Sequence, residues 1–193
     1  MGRLSPSAEH VFGYGSLVLD GRRGAVARLP GYRRVWGVAT DNVRAIPGYK
    51  LYLRRSDGSR PAIYVAFLDL EPARGAGVNG VVRAVSAAEL EQLDRRERNY
   101  DRVEVSGQID GLHGRIWTYV GSAAGRERLR RGREERCAVI SRDYLEKVRA
   151  GFRGLGEEEE LAFADSSMLD GLPVWDLERV DLPADAPPAE EGA

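Results

Sequence analysis

Apolar and polar positions along the chain fall into two periods, one of strands and one of helices. Residues 11–14 form a short apolar run that leads into glycine-rich sequence and read as a strand ending in a loop. "AVARLPGYRRVWGVAT" (25–40) and "YKLYLRR" (49–55) combine β-branched and aromatic residues with partial alternation, which predicts strands. "PAIYVAFLDLE" (61–71) is a nearly continuous apolar run, the pattern of a buried central strand. "GVNGVVRAVS" (77–86) predicts another strand, with Asn79-Gly80 marking a bulge or a close backbone approach. Strands over 100–109 and 115–122 flank the turn "DGLHG", which carries an Asp-Gly hairpin signal. Helical spacing appears over 87–98, and again from Ser141, where Leu145, Val148, Phe152 and Leu155 recur at intervals of three and four. "GEEEELAFA" adds a further helix whose acids suit its N-terminus. The sum is α+β: a mostly antiparallel, barrel-like sheet with flanking helices. The expected division is an N-terminal extension over 1–9, one domain over 10–182 and a disordered Pro- and acid-rich tail over 183–193.

The helix over 87–98 places one charge on its apolar side. Ser86-Ala87-Ala88-Glu89 spells a capping box, so the helix start is well marked. Leu90 and Leu93 define the buried stripe, and Glu97 lies seven after one and four after the other. Glu91, Gln92, Arg95 and Arg98 point elsewhere, with Glu89 and Arg96 at the margin. A carboxylate on an apolar face is costly unless paired, hydrogen-bonded or protonated. Glu97 therefore either curls out or pairs with a nearby arginine, or it serves as a general base or acid with a raised pKa.

The second informative stretch is "HVFGYGSLVLDG", residues 10–21. Glycine permits positive φ and lets the backbone approach a ligand closely, so this is a tight turn or a gripping loop. It is not a dinucleotide fingerprint, because the third glycine position holds Val18 and Gly/Pro breakers follow. It is not a phosphate loop either, since no Gly-Lys-Ser/Thr follows.

Composition removes several classes. At 193 residues the chain can bury roughly 70% of its unfolded surface and needs no staples. A formal net charge of −1 gives no global reason to expect nucleic acid or membrane partners. The single Cys137 excludes an intramolecular disulfide, and the two histidines, His10 and His113, have no metal-ligand spacing. No signal-peptide run opens the sequence and no apolar run approaches the roughly 20 residues of a span, so a cytoplasmic protein is expected. Cys137 has no identifiable His partner and reads as a packed cysteine. Ser16 lacks the Gly-x-Ser-x-Gly elbow of a nucleophile. The run Arg126–Arg136 reads as a solvated face with interspersed Glu, and Trp36, Trp117 and Trp175 as packing anchors.

"VFGYGSL", then "GVNGVVRAVSAAELEQLDRRERNYDRVEV", then "RIWTYV" resembles the γ-glutamylcyclotransferase family, which includes the ChaC-type and AIG2-like proteins. The family shows a Tyr-Gly-Ser loop after the first strand and a helix ending in Leu-Asp-x-x-Glu, which Leu93-Asp94-Arg95-Arg96-Glu97 matches. "CAVISRDYLEKVRAGFRGLG" is similar to its C-terminal helix region, so the resemblance covers most of 10–155 in order.

The resemblance implies a γ-glutamylcyclotransferase-like fold and the release of 5-oxoproline from a small γ-glutamyl amine or peptide. The substrate's α-amine attacks its own γ-carbonyl, and neither a metal nor another cofactor is needed. Positioning can contribute several kcal/mol, within the roughly 7–11 known for well-oriented intramolecular reactions. By the resemblance, Glu97 is the catalytic base and then acid, and Tyr14, Gly15, Ser16 and Leu17 bind the glutamyl head. Consecutive N–H groups in such a loop can form an anion nest. The resemblance also brings Tyr100 and Tyr119 near the substrate; the alternative for each is an ordinary half-buried strand tyrosine. The implied partner is a small γ-glutamyl compound, with the chain a monomer or homodimer. Leu17 stands where many members have Asn, as it does in ChaC-type members. Glutathione-specific members carry an aromatic residue soon after the motif, where this chain reads "SLVLDGRRG", so glutathione is not assigned. Two other readings stay open: a non-catalytic small-molecule-binding or interaction domain on the same fold, and removal of a γ-glutamyl protecting group from a secondary metabolite.

Overall fold

The computed structural model describes residues 9–20, 24–46, 48–167 and 170–183. The expected tail falls outside them from 184 onward, as does the extension before Glu9. In chain order the elements are β1 (Glu9–Gly13), α1 (Leu17–Asp20), β2 (Ala25–Asp41), β3 (Lys50–Arg54), β4 (Tyr64–Val85), α2 (Ala87–Arg96) and β5 (Tyr100–Glu104). Then follow β6 (Arg115–Gly121), α3 (Ala123–Glu134), β7 (Ala138–Ser141), α4 (Arg142–Arg153), α5 (Glu157–Ser166), β8 (Val174–Trp175) and β9 (Leu177–Asp181).

The α+β architecture is the expected one, with a large mixed sheet in the order β5-β6-β1-β4-β7-β8 and β2 added on β4. β1 pairs antiparallel with β4 but parallel with β6, and β4 pairs parallel with β7. The two apolar runs expected as separate strands, 61–71 and 77–86, join into one 22-residue β4. It pairs along nearly its whole length with the 17-residue β2. Register shifts at Pro30/Tyr32 and Trp36/Val38 bend this long ribbon.

Asn79-Gly80 is a close approach. A Cβ on Gly80 would lie 2.2 Å from the Gly13 carbonyl oxygen and within 3 Å of the Phe12 ring. β3 and β9 form a separate two-stranded sheet in which Lys50 pairs with Asp181. The pattern gave no sign of β7, β8 or β9, because each is short and draws its partner from far along the chain.

The main core gathers Phe12, Leu29, Trp36, Leu68 and Leu70 with Val148, Phe152 and Phe163 of the helices. A smaller cluster of Val11, Leu17, Val85, Leu90, Leu93 and Tyr119 seats α2. The arginine-rich run is mostly α3, with Arg130 bridging Glu127 and Glu134 along an exposed face, as surface charges at helical spacing do. Among the described residues no helix is long and apolar enough to cross a membrane.

Candidate active site

The helix that carries Glu97 starts as its sequence dictates. Ser86 caps it: the Glu89 N–H donates to Ser86 Oγ at 3.2 Å, and the Ser86 N–H donates to Glu89 Oε2 at 2.8 Å. Leu90 and Leu93 are buried beneath it. The helix ends one residue before Glu97, two residues earlier than the spacing predicts. Glu97 is its C-cap (φ −88°, ψ 48°), with its N–H donating to the Leu93 carbonyl at 2.8 Å. The next three residues are pinned. The Tyr100 N–H donates to the Glu97 carbonyl at 2.9 Å, while the buried Asn99 amide donates to Thr40 Oγ1 at 2.9 Å and accepts from Arg128 at 2.8 Å.

Glu97 thus faces a cavity of about 430 Å³, within the usual range for a small-molecule site. Its side chain is 15% exposed, and Arg96 Nε donates to its Oε1 at 3.0 Å. Of the readings open in the sequence, pairing with a nearby arginine is the one seen, and the carboxylate still faces the cavity.

Ser16 and Tyr100 also line this cavity, along with Tyr144 and Phe67. The Tyr100 hydroxyl donates to the Leu68 carbonyl at 2.7 Å. Tyr144 meets the Phe67 ring edge-on at 4.9 Å between centroids, and a Cβ on Gly15 would sit 3.3 Å from its hydroxyl. Burial pushes the Tyr100 and Tyr144 phenols well above their ordinary pKa, and the Glu97 charge adds to the effect in both. Both stay protonated at neutral pH and can donate hydrogen bonds.

The other residues of the loop stand behind this surface. Tyr14 is buried, and its hydroxyl donates to the Tyr119 carbonyl at 2.6 Å. Leu17 packs into the cluster that seats α2. Tyr119 does not line the cavity; it is buried in the same cluster, with its hydroxyl donating to Asp94 Oδ1 at 2.8 Å. Among the described residues no backbone hydrogen bond outside the helices and strands uses the N–H of Gly15, Ser16 or Leu17. Neither Gly13 nor Gly15 has positive φ, so the glycines serve close packing. A Cβ on Gly13 would lie 2.6 Å from Leu17 Cβ.

A residue not singled out by sequence holds the loop. Arg34 is buried on β2, and its Nε donates to the Tyr14 carbonyl at 3.0 Å. Nη2 donates to the Asn79 carbonyl at 2.6 Å, and Nη1 to Ser166 Oγ at 2.5 Å. Its guanidinium lies 4.8 and 4.9 Å from the Phe152 and Phe163 rings. Lys50, Tyr49 and Tyr144 also escaped the sequence reading. Lys50 and Tyr52 are two apart on β3 and line the cavity together, a period-2 signal that shows only once Tyr52 is known to be buried.

Cys137 is half-buried beside Glu135, and burial, then the neighbouring charge, pushes its thiol up, away from nucleophile chemistry. Among the described residues no group of three His, Cys, Asp or Glu side chains could hold a metal ion.

An acid, two half-buried tyrosines and a glycine-shaped loop thus meet around one cavity of small-molecule size on this mixed sheet. The chain belongs to the family described as gamma-glutamyl cyclotransferase, AIG2-like, whose model matches residues 11–144. Among solved structures it is similar to an uncharacterised protein from Homo sapiens, at 18% identity and TM-score 0.54, covering 86% of this chain and 91% of that one. It is also similar to a structure titled gamma-glutamyl cyclotransferase, at 17% identity and TM-score 0.51, covering 85% and 90%. These two likenesses speak for the fold. No curated protein matches the sequence.

Proposed function

We propose that the protein cyclises the γ-glutamyl group of a small γ-glutamyl compound to 5-oxoproline and releases the amine, with Glu97 carrying the protons. The observation that supports this most is that Glu97, Ser16, Tyr100 and Tyr144 line one cavity in a chain of this family. Glu97 takes a proton from the substrate's α-ammonium, since a protonated amine cannot attack. The freed nitrogen attacks the γ-carbonyl carbon, and the tetrahedral oxyanion is held by the N–H of Ser16, the loop residue that lines the cavity, or by the Tyr144 phenol. As the ring closes, the α-nitrogen gives up a second proton and the C–N bond to the leaving amine breaks. The leaving nitrogen takes up both protons by way of Glu97 and departs as an ammonium. No water is consumed and no covalent enzyme intermediate forms. Leu17 and Tyr119 act behind the cavity, by seating α2, and Tyr14 by fixing the loop.

The test is 5-oxoproline release from a panel of γ-glutamyl compounds by wild type and Glu97→Gln. The expected result is release by wild type and a drop of at least about 100-fold in kcat for the folded variant, the usual scale for a lost general base. Equal turnover by both proteins would refute the assignment. A folded wild type that binds γ-glutamyl compounds and turns over none would mark a binding domain.

A further inference from the structure

Lys50 is a cation that, among the described residues, faces aromatic rings and no carboxylate. It is the first residue of β3, on the small β3–β9 sheet, and it lines the cavity that holds Glu97. Among the described residues its ammonium makes no hydrogen bond and no ion pair, although its backbone pairs with Asp181. Its Nζ sits 4.1 Å from the Phe67 ring centroid and 5.2 Å from that of Tyr49.

The anions around it are engaged. Of the three lining carboxylates, Asp181 holds Arg179 at 2.5 Å, Asp143 holds Arg55 at 2.5 Å, and Glu97 holds Arg96 at 3.0 Å. Five lining side chains are cationic: Lys50, Arg96, Arg98, Lys147 and Arg179. The described lining therefore carries an excess of two positive charges over its three acids. A γ-glutamyl amine with its α-amine neutral for attack carries one negative charge, on its α-carboxylate. A γ-glutamyl amino acid in the same state carries two; with the ammonium's proton on Glu97 the lining's excess is three, so the second carboxylate offsets more of the wall's charge.

The two charges have separate places. On the cyclisation reading the glutamyl head takes the loop of the large sheet, beside Glu97, which leaves the amine side of the scissile bond for the rest of the cavity. Lys50 comes from the other sheet. Burial lowers its pKa to about 8, so at neutral pH it remains mostly an ammonium, but a poorly hydrated one. Such a cation gains more from a carboxylate than a solvated lysine would.

We infer, resting on the cyclisation reading, that Lys50 is a specificity residue that binds a carboxylate on the leaving amine, so that acid-bearing leaving groups are preferred over neutral ones.

The test is a pair of substrates that differ in one group, γ-glutamylglycine and γ-glutamylglycinamide, given to wild type, Lys50→Gln and Lys50→Arg. Wild type is expected to prefer the acid by about tenfold or more in kcat/KM, the scale of one charge-assisted hydrogen bond. Lys50→Gln is expected to bring the ratio close to one, and Lys50→Arg to keep most of it. Thermal melts confirm that each variant is folded. A wild type without preference, or a Lys50→Gln that loses activity on both while keeping the ratio, overturns the inference.

If wild type released 5-oxoproline from neither compound, the cyclisation reading would fail while Lys50 could still be judged. Calorimetric titration of both compounds into Glu97→Gln, with and without Lys50→Gln, supplies that readout. Tighter binding of the acid that Lys50→Gln abolishes sustains the inference, and equal affinities overturn it.

Discussion

Replacing Lys50 by methionine should make the protein more stable, and the gain should depend on pH. Burial, with Arg179 and Arg96 nearby, lowers the Lys50 pKa from 10.5 to about 8, although Glu97 and Asp181 pull the other way. That gap is worth about 3 kcal/mol, at about 1.4 kcal/mol per pH unit. The Phe67 and Tyr49 rings under the ammonium give back roughly 1 kcal/mol. Holding the charge therefore costs about 2 kcal/mol, and Lys50→Met, close in length and without the charge, should recover about that much at pH 7. Below pH 8 the folded and unfolded chains both carry the proton, so the cost is whole. Between pH 8 and 10.5 the folded protein sheds its proton while the unfolded chain keeps it, so wild type gains stability with rising pH. Above pH 10.5 both are neutral and the cost is gone. Paired urea unfolding of wild type and Lys50→Met at pH 7, 9 and 10.5 reads the difference directly. A methionine variant no more stable than wild type at pH 7, or an advantage that stays constant with pH, would refute the reasoning.

Arg34→Leu strands the Tyr14 and Asn79 carbonyls and should lower the unfolding free energy by roughly 2–6 kcal/mol, at about 1–3 kcal/mol for each; a loss under about 1 kcal/mol in urea would show that water replaces it. Gly15→Ala pushes a methyl against the Tyr144 hydroxyl, 3.3 Å from the added carbon. It should cut kcat/KM about tenfold or more while moving the melting midpoint only slightly, because positioning is more sensitive than packing here; unchanged kinetics would remove Tyr144 from the active surface.

The parts legible in the sequence are those coded locally. The capping box, the Leu90–Leu93 stripe and the inward Glu97 lie within twelve residues, and a periodicity of 3.6 exposes them. The glycine loop was visible as a loop, but the packing that its glycines allow was not. The glycines make room for Leu17 and Tyr144, and the latter contact joins positions more than a hundred residues apart. Arg34 reads as one more strand arginine until the fold brings Tyr14, Asn79 and Ser166 to it. Lys50 stayed hidden for the same reason, since its wall exists only when β3 finds β9, more than 120 residues later. Tyr119 shows the converse: its strand was predicted, but side-chain direction sent its phenol to Asp94 instead of the cavity.

On the proposed reading, the catalytic surface and the specificity wall hang on different frames. Leu68 of β4 accepts the Tyr100 phenol on its carbonyl, and its side chain lies beneath Gly15. Its backbone also hydrogen-bonds the Tyr144 phenol. One residue away, buried Asp69 accepts from the Gly121 N–H at 2.6 Å and from Arg126 at 2.9 Å, tying β6 and α3 to the same strand. Arg34 and Thr40, the supports of the loop and of the Glu97 segment, both belong to β2, the long partner of β4. A shift of that ribbon would move the loop, both phenols and the acid together, so their mutual geometry is protected by the largest strand pairing in the molecule. Lys50 and Arg179 instead stand on the two-stranded β3–β9 sheet, which shares no strand with the main one. If the proposed roles hold, substitutions there change which leaving amine is accepted without disturbing the groups that carry the protons. That separation is what a fold needs if one cyclisation chemistry is to serve many γ-glutamyl compounds.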